Sequence, residues 1–145
     1  MLNEIYNDRI LELAGNIPLC ERLGECDGTS VQHSKLCGSK VTVDLKVSDG
    51  VVTGYGQEVK ACALGQAACS IMARNVVGST LEELCQVRDQ VFAMLKEGGD
   101  PPSGKWADIA ALQPVRDFKA RHASTMLVFD AVCDVARQNQ TSLAG

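Results

Sequence analysis

The sequence predicts an α+β domain, a small antiparallel β-sheet of about three strands with helices packed on one face. Three observations carry that expectation. Val41, Val43, Leu45 and Val47 alternate with Thr42, Asp44, Lys46 and Ser48, which is the period of a half-buried strand. Asp49-Gly50 follows, the favoured two-residue hairpin turn, and Val51 to Val59 returns as a second strand. The flanking segments repeat their apolar residues at helical spacing. Helix, then grouped strands, then helices is the order of an α+β fold rather than of alternating βαβ units.

The elements follow in turn. From Leu2 to about Ala14, Ile5, Ile10, Leu11 and Leu13 recur as on one helix face, and Gly15 ends the run. Asn16 to Thr29 holds Pro18, Gly24 and Asp27-Gly28 and reads as irregular. Val31 to Leu36 is a candidate third strand. In the second hairpin arm, Gly54 and Gly56 weaken the strand or admit a bulge. After Cys62, Leu64, Ala67, Ala68, Ile71, Met72 and Asn75 share a helix face, and Gly78 closes it. Ser79-Thr80-Leu81-Glu82-Glu83 offers two overlapping capping boxes for a helix that turns Leu84, Val87, Val91 and Leu95 inward. Gly98 to Gly104 is a loop. Trp106 to Leu112 predicts a short helix stopped before Pro114. A last helix runs from about Lys119 to Gln138 with Met126, Phe129, Cys133 and Ala136 on one stripe. Residues from about 139 onward are expected to fray, and residues 1–145 to form one domain.

Composition narrows the function classes. Apolar residues make up 46% and charged residues 22%, as in ordinary globular domains. The net charge is −4 and basic residues are dispersed, so no nucleic-acid footprint is expected. No apolar run approaches the roughly 20 residues that span a bilayer, so no membrane association is expected. The first residues carry an acid early and lack a basic flank, unlike a secretory signal, which makes the cytoplasm the expected compartment. Seven cysteines are an odd number, and a reducing compartment disfavours disulfides. Some are therefore buried hydrophobes and a few are candidate ligands or nucleophiles.

Thiolate and imidazole hold iron and zinc. Cys37 lies at a strand junction beside Gly38, which lets backbone approach a bound ion. Cys62 lies at the mouth of a helix, where the positive end of the dipole and free N–H groups stabilise negative charge. His122 opens the last helix, and the second histidine, His33, reads as a strand or surface residue. Cys69, Cys85 and Cys133 fall among apolar residues at helical spacing and read as core. Cys20 and Cys26 lie in the irregular segment. Lys35, Lys60, Lys119 and Arg121 flank the candidate ligands. The separations between Cys37, Cys62 and His122 are long, so any site is assembled by the fold.

These residues resemble a known family. Leu36-Cys37-Gly38-Ser39-Lys40-Val41 is similar to the Cys-Gly-Asp segment of the iron–sulfur cluster assembly scaffolds IscU, SufU and the NifU N-terminal domain, and the Asp-Gly hairpin follows it in place. Gln57 to Met72, with Cys62 opening an alanine- and glycine-rich helix, resembles their second motif. Val115 to Val132 resembles the third, where a His-Cys or Lys-Cys pair opens the last helix. The similarity covers about residues 3 to 137, and the long stretch from Cys62 to His122 is closest in layout to the SufU branch. Two positions depart from the pattern. Ser39 stands where the family has aspartate, and the third cysteine is matched by Ala123, or by Ser124 with a shift of one.

The resemblance implies the SufE/NifU-like fold and a scaffold that binds iron or a [2Fe-2S] cluster, with zinc as the alternative. The implied ligands are Cys37, Cys62 and His122, with an open fourth position, and the implied sulfur acceptors are Cys37 and Cys62. It implies a carrier rather than a catalyst, with persulfide sulfur transfer as the reaction where there is one. The implied partners are a cysteine desulfurase and apo acceptor proteins, with a homo-oligomer able to supply missing ligands. Two rival readings are a zinc-binding sulfurtransferase partner of a cysteine desulfurase and a degenerate, metal-free interaction module.

Overall fold

A computed structural model describes residues 7–35 and 38–144, with side chains up to Asn139. Three strands form one antiparallel meander, ordered β1 (Gly28–His33), β2 (Lys40–Ser48), β3 (Val51–Lys60). Among the described residues four α-helices accompany them: α1 (Asp8–Gly15), α2 (Ala63–Asn75), α3 (Leu81–Lys96) and α4 (His122–Ala144). Between α3 and α4 the chain makes successive 3-10 turns over Gly104–Asp117 and Lys119–Arg121. None of the described helices is long and apolar enough to cross a membrane.

The hairpin turn forms where Asp49-Gly50 places it, both residues having positive φ (52° and 77°), as the mirror-image turn requires. The pairing slips between Lys46 and Val47, beside Gly54, so the expected bulge is present. Strand β1 begins three residues earlier than expected and ends at His33; Leu36 lies outside the described residues.

Val41, Val43 and Leu45 are fully buried beneath the helices, and α4 crosses β1 and β2. Ser30 of β1 donates to Asp134 of α4 at 2.7 Å, pinning that crossing. The other face of β2 is exposed at Lys40, Lys46 and Ser48, as the alternation suggested, but covered in its middle. Asp44 is fully buried and Thr42 nearly so. The irregular segment after α1 crosses this face and is held by Asp44. The carboxylate accepts from Arg22 Nε at 2.6 Å, Arg22 Nη2 at 3.0 Å, the Leu23 amide at 3.0 Å and Thr29 Oγ1 at 2.6 Å. Burial pushes the Asp44 carboxyl up, but bonds from Arg22, Thr29 and the Leu23 amide overcome it and hold the group below its ordinary range. Gly56 opposite Asp44 makes room for the crossing, since a Cβ there would lie 2.4 Å from the Glu21 carbonyl oxygen. That carbonyl accepts from the Gln57 amide at 3.2 Å, along the outer edge of β3.

Helix α1 is capped by Asn7, whose side chain accepts from the Ile10 amide. Ile10 and Leu13 point inward, whereas Leu11 is 52% exposed, and Ile5 lies outside the described residues. Helix α2 is buried on nearly every side, including Cys69, Ser70 and Ala73, because α1, α4 and the 3-10 turns all pack on it. Its alanines and glycine permit that crowding. Thr80 caps α3 by accepting from the Glu83 amide at 3.1 Å, while the Glu83 carboxylate accepts from Trp106 Nε1 at 2.6 Å, so the cap forms as half of the expected box. The segment expected as a short helix ending before Pro114 is instead the longer 3-10 run. Trp106, Ile109, Leu112 and Val115 are its buried residues, and a spacing of three puts them on one side of a helix with three residues per turn. Helix α4 runs past the expected end at Gln138.

Candidate functional site

The sheet register gathers three chain segments at one end. His33 pairs with Lys40, and Lys40 with Lys60, so the β1–β2 loop and the exit of β3 leave the sheet side by side. The loop is closed by the Ser34 amide on the Ser39 carbonyl (2.8 Å) and the Gly38 amide on the Ser34 carbonyl (2.9 Å), with Gly38 at φ +70°. Cys37 belongs to this loop but lies outside the described residues. Ser39, in the place of the expected aspartate, is buried.

Cys62 follows Lys60 by two residues and is the N-cap of α2, with φ −67° and ψ 172° and no side-chain capping bond. Its thiol is therefore held at the start of a helix without being spent on it. The group is half-buried, and Sγ lies 3.5 Å from Ser124 Oγ in the first turn of α4. Ser124 donates its own proton to the Arg121 carbonyl at 3.2 Å, which leaves its oxygen facing the thiol. The approach of the two helix starts depends on Gly65, where a Cβ would lie 2.8 Å from Ala61 Cβ and 3.3 Å from the Ser124 carbonyl oxygen.

The structure brings Ser124, rather than His122, against Cys62. Positions two apart on a helix point about 200° apart, so the two side chains leave α4 on different sides. The His122 ring is buried, with Nε2 3.0 Å from both the Val115 and Arg116 carbonyl oxygens. Carbonyls only accept, so Nε2 carries the proton. Nδ1 is buried without a partner among the described residues. Ala123, the other position matched to the missing cysteine, is exposed. Among the described residues, which exclude Cys37, no three histidine, cysteine or carboxylate side chains come together.

The remaining cysteines sort as expected. Cys69 and Cys133 are buried, and burial raises both thiols, Cys133 to about 12 with help from the neighbouring Cys85 thiol. Cys85 is half-buried against the core, and Cys20 and Cys26 are exposed. His33 is exposed at the end of β1.

Comparison with known proteins fits this layout. The family model described as the NifU-like N terminal domain matches residues 5–125. The chain belongs to the NifU-like N-terminal domain family. A crystal structure of a nitrogen-fixing NifU-like protein (N-terminal) from Brucella abortus is 57% identical, covers 97% of both chains and superposes with a TM-score of 0.94. A curated relative from Thermotoga maritima, named iron-sulfur cluster assembly scaffold protein IscU, is 28% identical over 119 residues, 81% of this chain and 82% of the relative. A protein from Fervidobacterium islandicum, assigned as a scaffold of the SUF system, shares the fold at a TM-score of 0.82 with 17% identity, covering 90% of this chain and 95% of its own. Within the NifU-like family the α+β expectation, three antiparallel strands with helices on one face, is met.

Proposed function

We propose that this chain is an iron–sulfur cluster assembly scaffold that works at the end of the sheet where Cys62 meets the β1–β2 loop. The supporting observation is Cys62 itself, a partly exposed thiol at a helix start, uncommitted to capping and faced by a hydroxyl. Family membership and the scaffold names of the relatives point the same way.

Cys62 and Cys37 are the sulfur-bearing residues of this reading. The Cys62 thiolate attacks the outer sulfur of a persulfide on a cysteine desulfurase. The donor's S–S bond breaks, its cysteine leaves as a thiolate, and a new S–S bond forms at Cys62, with no net oxidation. Iron and a [2Fe-2S] cluster are cargo, held by both thiolates and then passed to an apo acceptor. Ser124 takes the third place that the resemblance had given to His122, because its oxygen is the one beside Cys62. An oxygen donor is a poorer match for iron–sulfur chemistry than a thiolate, and clusters are ordinarily held by four cysteines. The resulting hold is loose, which suits transfer. Such thiols need a reducing compartment, in keeping with the cytoplasm.

The test is anaerobic reconstitution with ferrous iron and sulfide, followed by elemental analysis and an absorption spectrum. Sulfide-to-iron charge-transfer bands that vanish in Cys37→Ser and Cys62→Ser, and survive in His122→Ala, are expected. Near-stoichiometric colourless zinc, with stimulation of desulfurase turnover, would replace this reading by the sulfurtransferase partner. No metal in any sample would leave an interaction module.

A further inference from the structure

Two cavities of about 350 and 330 Å³ lie between α3 and the start of α4 and share Lys96, Lys119 and His122 in their walls. Arg116 closes one, and Phe92 and Met126 line the other. The local charge is opposite to that of the whole chain, which carries −4. Lys96, Arg116 and Lys119 converge here, and none of them takes part in an ion pair among the described residues. The acid in these walls, Asp130, is bound to Arg88 at 2.9 Å. His122 is 2% exposed, its Nε2–H committed to two carbonyls, so the ring is wall rather than a binding group.

These features specify a visitor with several carboxylates and an apolar group. We infer that the groove between α3 and α4 seats an acidic, extended segment of a partner protein. Carboxylates of that segment meet Lys96, Arg116 and Lys119, and one apolar side chain enters between Phe92 and Met126. A compact oxyanion satisfies the cations but brings nothing for the apolar wall, and two adjoining cavities form a trough rather than a pit. Charge complementarity of this kind steers encounter and selects partners. His122 and Ser124 leave α4 on different sides, so a segment held here stays clear of Cys62 while docked on the same helix turn. The scaffold reading supplies the reason for a protein partner; binding in the groove needs neither iron nor sulfide.

The full chain, metal-free and labelled with nitrogen-15, is titrated with a capped hexapeptide alternating glutamate and leucine. Saturable shifts at Lys96, Arg116, Lys119 and the His122 ring are expected. The double variant Lys96→Glu with Lys119→Glu, at two exposed positions, is expected to bind at least ~10-fold more weakly with an unchanged melting temperature. No shifts at millimolar peptide, or equal affinity in the double variant, would overturn the inference. So would inorganic phosphate giving the same shifts at the same affinity, which would make the groove a simple oxyanion site. Cys62→Ser is expected to lose the cluster and keep the peptide. A wild-type chain that binds the peptide yet assembles no cluster would sink the scaffold reading and leave the groove standing.

Discussion

Asp44 and Cys62 lie at two ends of the same design problem, a reactive side chain brought inside a small fold. The Asp44 carboxylate is surrounded by donors from Arg22, Leu23, Cys26 and Thr29. Among the described residues the Cys62 thiol has one long polar contact, to Ser124, and makes no capping bond. A group whose bonding capacity is exhausted within its own chain is structural, however charged it is. A group left with spare capacity at a helix start is available for chemistry.

Substitutions should separate the two. Asp44→Ala has the largest expected effect on stability, about 3 kcal/mol, because Arg22, Thr29 and the Leu23 amide lose a shared acceptor. A drop in melting temperature of roughly 10 °C follows, while each molecule that remains folded should still assemble a cluster. Calorimetry beside reconstitution checks both halves.

Acid sharpens the same contrast. The folded state holds the Asp44 carboxyl below its ordinary value, so its stabilisation is present above the unfolded pKa, about 4. It is lost as pH falls through the lower folded value. The melting-temperature gap between wild type and Asp44→Asn should therefore be widest near neutrality and shrink below about pH 4. A gap that stays constant down to pH 2.5 would mean that the carboxylate's charge contributes nothing.

Thr80→Ala removes the α3 cap and should cost about 1 kcal/mol, readable by urea denaturation, with no effect on cluster content. Cys62→Ser should shift stability by no more than about 0.5 kcal/mol, yet bring iron and sulfide to background. Ser124→Cys should be equally quiet in stability and lengthen the survival of the reconstituted chromophore against a chelator, since it adds a third thiolate.

The sequence made the hairpin, the inward faces of α3 and α4, and the position of Cys62 legible, because each rests on local pattern. Period two, an Asp-Gly turn and a Thr-x-x-Glu cap are decided within a few residues. The 3-10 run was missed although its signal was present: Trp106, Ile109, Leu112 and Val115 are three apart, not three and four. The burial of Asp44 was hidden because it depends on a crossing by residues twenty positions away that have no periodicity. Ser124 and His122 were hard to rank for a related reason. Both open the same helix, and only the packing of α4 on Gly65 decides which one turns toward Cys62.

The outer edge of β3 is covered at two places. Val52 exchanges bonds with Ser79 and Gly78 at one end, and the Gln57 amide meets the Glu21 carbonyl further along. Those contacts cap a template. Uncapped strands recruit their like, and a protein whose task is to be approached by others is at particular risk of being approached by itself. By folding its own connectors over the β3 margin, the chain stays receptive at the cysteine end and inert along that side, so crowding does not turn a courier into a fibre.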